Sequence, residues 1–377
     1  MGVTQGDVDI LGAGPAGLQV ARFLLRRCSS DVYLYEEHGK IGRPIHCTGL
    51  VSLEGLRKAI GVTGKDLIIN TLRGAFFFSP SHLKLLVERP TTVAVLVDRE
   101  RLEEYLYEEV LSLGARVALG RRVDFTDFCS IVKRKNSFGV VAGGVRYLDD
   151  AKKIFLLPAL QYDIKVEDAV GIHDHVFIFL GEKFSHGLFA WAIPMGDDTY
   201  KVGVASRGKT LLRMKYLLKA LSEVGIVPQR IVRVYGGLVY TGGLVERVVR
   251  GGLLYIGDAA GQTKPTTGGG LAYLSLAARI LSSAISNGKP YSYEKKVKGV
   301  LGPEIKLQFT LRKMLNSMSD SELDDVFRGI KEMGGEELAS REGSMDQQAP
   351  LIRKISVKYL LGRPSFALKL LFKYFLG

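Results

Sequence analysis

The stretch from Val8 to Glu37 constrains this chain more than any other. It runs Val8-Asp9-Ile10-Leu11, then Gly12-Ala13-Gly14-Pro15-Ala16-Gly17, then Leu18 to Arg27, then Asp31-Val32-Tyr33-Leu34-Tyr35-Glu36-Glu37. The order predicts a strand, a glycine-rich turn, a helix and a second strand with acids at its end. Gly12 allows a tight turn, Gly14 lets a pyrophosphate approach the backbone, and Gly17 lets the helix pack closely on the strand. From Pro15 and Ala16 onward the helix points free N–H groups and its positive dipole end at phosphate. Glu36 stands 36 − 17 = 19 positions after Gly17. That spacing suits a carboxylate accepting hydrogen bonds from adenosine ribose hydroxyls, with Glu37 beside it. An acid there disfavours a 2′-phosphate, so the stretch points to FAD or NAD rather than NADP. The bland reading is a structural glycine turn, but the strand before, the helix after and the acid beyond argue against it.

A second signal lies far downstream. Gly252-Leu253-Leu254-Tyr255-Ile256-Gly257-Asp258 predicts an apolar strand ending in Gly-Asp. Lys264-Pro265-Thr266-Thr267-Gly268-Gly269-Gly270 follows, then a helix over Leu271 to Ser286. An acid at a strand end suits the ribityl hydroxyls of a flavin. Glycines at Gly268, Gly269 and Gly270 let a helix N-terminus approach the ring and stabilise negative charge there. Together the two signals select FAD.

Between them, the loop Glu37 to Leu50 carries Arg43, His46 and Cys47. Arg43 is read as a phosphate contact or as a solvated loop charge. Cys47 is read as a neighbour of the flavin or substrate, or as a small buried apolar residue. Asp98 predicts the N-cap of a helix, which places Arg99 at its start as a further phosphate candidate. Leu67 to Val97 reads as antiparallel strands of a second sheet, and Val117 to Val141 as strands with polar breaks. In Gly187 to Pro194, alternation puts Phe189, Trp191 and Ile193 on one face. Spacing alone favours ordinary core there.

The chain has 377 residues, enough for a substantial core. The expected organisation is a Rossmann-like FAD-binding domain in pieces (1–66, 98–158 and 245–290). An antiparallel-sheet substrate domain (67–97 and 159–244) interleaves with it, and a helical region (291–377) follows. The fold class is mixed α/β. Lysine and arginine exceed acids by 52 − 39 = 13. This excess asks for an anionic partner. Three scattered cysteines provide neither a disulfide framework nor a zinc signature, so no metal is expected and a reducing cytoplasm is. The early start of the first motif leads to the expectation of no targeting peptide. No apolar run is long enough to span a membrane. Ile352 to Leu376 interleaves basic and apolar residues without an acid. It reads either as a surface-lying segment for anionic lipid or as a docked helix with solvated lysines.

Three strings carry a resemblance. They are Arg43-Pro44-Ile45-His46-Cys47-Thr48-Gly49, then Leu188-Phe189-Ala190-Trp191-Ala192-Ile193-Pro194 with Lys201-Val202-Gly203-Val204, and Lys264-Pro265-Thr266-Thr267-Gly268-Gly269-Gly270. With the two flavin motifs they resemble the geranylgeranyl reductase family, within the p-hydroxybenzoate-hydroxylase-like flavoproteins. The family pattern at the second string is aromatic-x-Trp-x-Phe-Pro, and here Ile193 replaces the usual Phe. The resemblance runs to about residue 290. It implies that Phe189, Trp191, Ile193 and Pro194 line an isoprenoid tunnel and that Cys47 sits near the flavin. Cys47 is then the candidate proton donor. Related hydroxylases carry a mid-chain Asp-Gly motif, which is degraded here to Asp149-Asp150-Ala151. That favours ferredoxin or a reduced deazaflavin over NAD(P)H as electron donor.

The implied activity is saturation of C=C bonds in geranylgeranyl chains of archaeal-type lipid precursors. The substrate is an isoprenoid lipid with a phosphate head group, met at the inner face of the cell membrane. Two alternatives stand. One is an FAD-dependent monooxygenase or halogenase of the same fold. The other is a non-catalytic basic flavoprotein on nucleic acid, disfavoured because no basic stripe is interleaved with aromatics outside the tail.

Overall fold

The computed structural model describes residues 6–61, 65–168, 171–196 and 198–362. The Val8–Leu11 strand is buried along its whole length, so it reads as a continuous apolar run rather than an alternation. It lies inside a six-stranded sheet. The order is Val249–Arg250, Leu253–Tyr255, Phe138–Val141, Val8–Leu11, Val32–Tyr35, Arg116–Ala118. All neighbours are parallel except the first pair. Both glycine motifs therefore leave the same sheet, from strands on either side of Phe138–Val141. Asp9, fully buried, accepts from Tyr35 Oη (2.8 Å), Lys135 Nζ (2.9 Å) and Ser137 Oγ (2.5 Å). The helices Pro15–Leu25 and Leu271–Ser286 pack together, with Ser282 Oγ donating to Val20 O at 3.1 Å.

A seven-stranded sheet forms the second layer. Its order is Ile226–Tyr240, Leu156–Asp168, Thr199–Ala205, Ala190–Pro194, His175–Phe179, Gly74–Phe78, Lys84–Glu88. It is antiparallel apart from one parallel pair, His175–Phe179 with Gly74–Phe78. The helix Thr210–Glu223 covers one face, burying Met214, Leu217 and Leu221 against Tyr162, Phe177 and Phe179. A three-stranded sheet of Leu50–Ser52, Ala94–Val97 and Ile68–Leu72 supplies the core on the other.

Two readings of the sequence are corrected. The run from Leu67 to Val97 does not stay in one sheet. It crosses at Arg73, whose N–H donates to Asp174 O (2.9 Å), and Gly74 permits the crossing. A Cβ on Gly74 would stand 2.6 Å from the His175 ring. The run from Val117 to Val141 contains a helix, Phe125–Lys135. Its β-branched and aromatic residues suggest strand, but packing overrides propensity. Phe128 is fully buried, its ring 6.3 Å from that of Tyr35.

Four helices follow: Ser292–Ser317, Asp320–Glu332 with a Ser319/Glu322 capping box, Gly335–Glu342 and Ala349–Gly362. The last part of the expected basic helix, positions 363–377, lies outside the described residues.

Candidate active site

The first glycine turn is closed on two sides and open on one. Gly12 adopts φ +102°, and a Cβ there would meet Ala142 O at 2.8 Å. A Cβ on Gly17 would sit 2.0 Å from Gly12 O, so helix and turn touch backbone to backbone. A Cβ on Gly14 would meet nothing within 4 Å. Gly14 therefore faces the open side, at the N-terminus of the helix that starts with Pro15. Glu36 ties the end of the second strand to this turn. Its Oε2 accepts from Ala13 N at 2.9 Å and its Oε1 from His38 N at 3.0 Å. Glu37 lies at the rim, 3.1 Å from Arg146 Nη1.

The second motif meets the first directly. A Cβ on Gly257 would stand 2.9 Å from that of Ala16. The Gly257 N–H donates to Gln262 Oε1 at 2.8 Å, and Gln262 is held by Tyr293 Oη at 2.6 Å. Asp258 follows, and a Cβ on Gly270 would be 3.7 Å from its Oδ1. Burial pushes the Asp258 carboxyl above its ordinary value, and the Arg99 charge offsets this in part. The loop Lys264 to Gly270 is pinned by Gly268 N to Lys264 O (2.7 Å), with Gly268 at φ +73°. Gly269 bonds through its carbonyl to Lys264 N at 2.9 Å. Gly270 caps the helix Leu271–Ser286 with no side-chain partner, leaving the first amides of that helix without intrahelical acceptors.

Cys47 is exposed, and Arg99 lies close to it. The Arg99 guanidinium lies beside the Cys47 sulfur and donates to Glu103 Oε1 at 2.5 Å, while its buried Nε has no acceptor. Burial works against its charge, but Cys47 and Glu103 hold its pKa above the ordinary value. Arg43 is elsewhere. It is half exposed and pairs with Glu100 at 2.7 Å. Hydrogen bonds from Arg43 and Lys40 hold the Glu100 carboxyl down at about 2.

A buried polar cluster behind Cys47 escaped the sequence reading. Lys201 Nζ donates to Asp163 Oδ1 (3.3 Å) and Tyr235 Oη (3.2 Å), and Tyr235 Oη donates to Asp163 Oδ1 (3.0 Å). Gln161 Nε2 holds His46 O at 2.9 Å and the Thr48 hydroxyl donates to Gln161 Oε1, so both chain neighbours of Cys47 are tied to Gln161. Arg312 was also missed. It is buried with no acid partner among the described residues, its pKa lowered to about 10 by burial, and it donates to Pro265 O (3.2 Å), Leu188 O (3.3 Å) and Thr266 O (2.5 Å). It clamps the second flavin loop to the string containing Trp191. No local signal marks either group, since the partners stand 34 to 124 positions apart.

The string Leu188 to Pro194 is packed. Its strand begins at Ala190, so Phe189 precedes it. Trp191 and Ile193 face Leu72, Ala94 and Leu96, with Phe189 against the same cluster. Trp191 pairs with Gly203, where a Cβ would stand 2.3 Å from the indole. The indole Nε1 is buried with no acceptor among the described residues. Pro194 O accepts from Asn70 Nδ2 at 2.9 Å.

The residues fit a flavin dinucleotide. Gly14 is open, Asp258 is a buried acid at a strand end, Arg99 Nε is an orphaned donor, and a helix N-terminus at Gly270 faces the acid.

No family model matches the chain. It is 26% identical to a digeranylgeranylglycerophospholipid reductase of Methanosarcina mazei, over 88% of this chain and 90% of the relative. It is also 26% identical to an uncharacterized protein of Methanocaldococcus jannaschii, over 93% and 94%. The chain's relatives include the geranylgeranyl reductases. The crystal structure of a geranylgeranyl bacteriochlorophyll reductase-like protein of Thermoplasma acidophilum superposes with a TM-score of 0.77. It covers 98% of this chain and 99% of that one at 18% identity, which establishes that the two share a fold. Among the described residues no helix is long and apolar enough to cross a membrane.

Proposed function

We propose that this chain is an FAD-dependent reductase that saturates C=C bonds of geranylgeranyl chains in archaeal-type membrane lipid precursors. The observation that carries it is the meeting of the two glycine motifs at Ala16 and Gly257, with the buried acid Asp258 next in the chain and within the influence of the Arg99 charge. The named reductase relatives support the choice of substrate class.

Glycines 12, 14 and 17 with Glu36 hold the adenosine and pyrophosphate end. Asp258, Arg99 and the helix start at Gly268, Gly269 and Gly270 hold the ribityl and ring end. Bound FAD, once reduced by two electrons from the donor, would supply the hydride that an isolated, unpolarised alkene requires. The chain must then place the alkene, exclude water and deliver a proton to the second carbon. Cys47 Sγ–H is the proposed donor, held by the Gln161 bond to His46 O. The apolar cluster of Phe189, Trp191 and Ile193 is proposed to open as a tunnel for the isoprenoid chain, which keeps the site dry.

Electrons are proposed to come from ferredoxin or a reduced deazaflavin. Asp149, at the degraded Asp-Gly position, is engaged otherwise. It caps a short turn through Ala151 N (3.0 Å) and faces Arg250 (3.7 Å). The protein is proposed to work at the inner surface of the cell membrane, where its phospholipid substrate resides.

The test is mass spectrometry of an unsaturated archaeal-type lipid incubated with the protein and chemically reduced flavin. The expected result is a gain of one hydrogen molecule per double bond, abolished in Gly269→Trp. A folded, flavin-loaded protein that adds no hydrogen sinks the reading. Oxygen-dependent consumption of NAD(P)H would transfer the assignment to a monooxygenase or halogenase.

A further inference from the structure

The seven-stranded sheet ends in a long edge. Among the described residues, Ile226–Tyr240 pairs only with Leu156–Asp168. It exposes Val227, Ile231, Val232, Val234 and Leu238, with Ile231 at 48%, Val232 at 55% and Val234 at 60%. The strand carries Arg230 and Arg233 and no acid. Solvent-facing apolar edges of this length invite a partner.

A second copy is a poor partner. Antiparallel pairing centred on Ile231 and Val232 would set Arg230 against Arg233 of the other copy, like charges directly opposed. The edge is also irregular. Register shifts fall between Asp163 and Ile164 and between Lys165 and Val166, leaving Val232 and Gln229 as bulges, and Pro228 removes a donor. These features block strand addition and leave an uneven apolar and cationic surface. Such a surface complements anionic lipid.

The strand is continuous with the candidate site. Arg233, Val234 and Tyr235 wall an open groove of about 460 Å³ whose other side is His38, Lys40, Arg43 and Ile45. Gly236 O bonds the His46 ring at 2.8 Å, one residue from Cys47. A lipid at this edge would meet cationic groups first and the Cys47 loop next.

We infer that Ile226–Tyr240 is the edge by which the protein seats on an anionic lipid bilayer. Ile231, Val232 and Val234 enter the headgroup layer, and Arg230 and Arg233 meet lipid phosphates. The inference rests on the proposed reductase reading for its biological sense, because a substrate with long isoprenoid chains stays in the bilayer. Its test does not.

The full chain is floated with vesicles of phosphatidylcholine mixed with phosphatidylglycerol, and with vesicles of phosphatidylcholine alone. The variants are Ile231→Thr with Val232→Thr, which keeps β-branched residues on the strand, and Arg230→Gln. None of these residues lines the groove. The parent binds the anionic vesicles and releases them as salt rises. The double variant lowers binding roughly tenfold, and Arg230→Gln about fivefold. Lipid saturation in detergent is unchanged in both, while saturation of vesicle-embedded lipid falls with binding. Equal flotation of parent and variants overturns the inference. So does a parent that elutes as a dimer and a double variant that elutes as a monomer, which assigns the edge to a second copy. A parent that floats through this edge yet saturates no lipid supports the docking surface and sinks the reductase reading alone.

Discussion

The Cβ of Ala16 lies 2.9 Å from the point where a side chain on Gly257 would begin. These residues belong to the two glycine motifs, 257 − 16 = 241 positions apart. Gly257 also adopts φ +69°. Gly257→Val must therefore push the first helix away from the second motif and strain the backbone. The expected cost is about 1–3 kcal/mol in stability, with loss of the yellow cofactor from the purified protein. Absorbance and thermal unfolding check this. Full flavin content at an unchanged melting temperature would refute the contact's importance.

The single tryptophan offers a direct probe of the substrate sheet. Gly203 accommodates the Trp191 indole, and a methyl group there would stand 2.3 Å from it. Gly203→Ala should displace the ring, shift its emission and cost about 1–3 kcal/mol. Flavin content should hold, because Gly203 lies away from both glycine motifs. An unchanged emission spectrum counts against this packing.

Cys47 is the proposed proton donor, with the Tyr235, Asp163 and Lys201 cluster behind it. Cys47→Ala should retain flavin and lower turnover by roughly a hundredfold or more. Tyr235→Phe should do less, since it leaves the sulfur in place. Single-turnover reoxidation of reduced flavin by lipid separates the two variants. Wild-type rates in Cys47→Ala would move the role to another group or to water.

Lys264 and Asp346 pair at 2.9 Å, and Asp346 also accepts from Ser52. Burial tends to raise the Asp346 pKa, but the Lys264 charge and these hydrogen bonds hold it below the ordinary value. A carboxyl whose folded pKa is lowered stabilises the fold above its unfolded pKa of about 4, and loses that contribution as pH falls through the folded value. Asp346→Asn should therefore cost about 3 kcal/mol at neutral pH by leaving Lys264 buried and unpaired. It should also flatten the stability profile between neutral pH and acid. Urea unfolding across pH measures both. Parallel profiles for parent and variant would show that the pair does not report on the fold.

The glycine turn at Gly12 was legible because its demands are local. A positive φ, a missing Cβ and a helix start are properties of consecutive residues, and they write themselves into a short string. The same holds for Asp98 as an N-cap, which accepts from Glu100 N at 3.0 Å and Arg101 N at 3.2 Å. The helix Phe125–Lys135 was not legible, because its local composition favours strand and only the burial of Phe128 against Tyr35 decides otherwise. Arg43 reads from its loop either as a phosphate contact or as a solvated charge, and its pairing with Glu100 could not be read from the sequence.

By itself the sequence determined that the fold would be mixed α/β, and it marked two glycine motifs, two acids and a helix start as the proposed dinucleotide site. Only the tertiary structure decided that Arg99 lies beside Cys47, that Arg312 clamps Pro265 and Thr266 to Leu188, and that the basic, apolar strand Ile226–Tyr240 ends a sheet at the surface. The physical reason is separation along the chain. A turn is specified by the residues that form it, whereas these contacts depend on how two sheets are joined, and no short stretch of sequence carries that information.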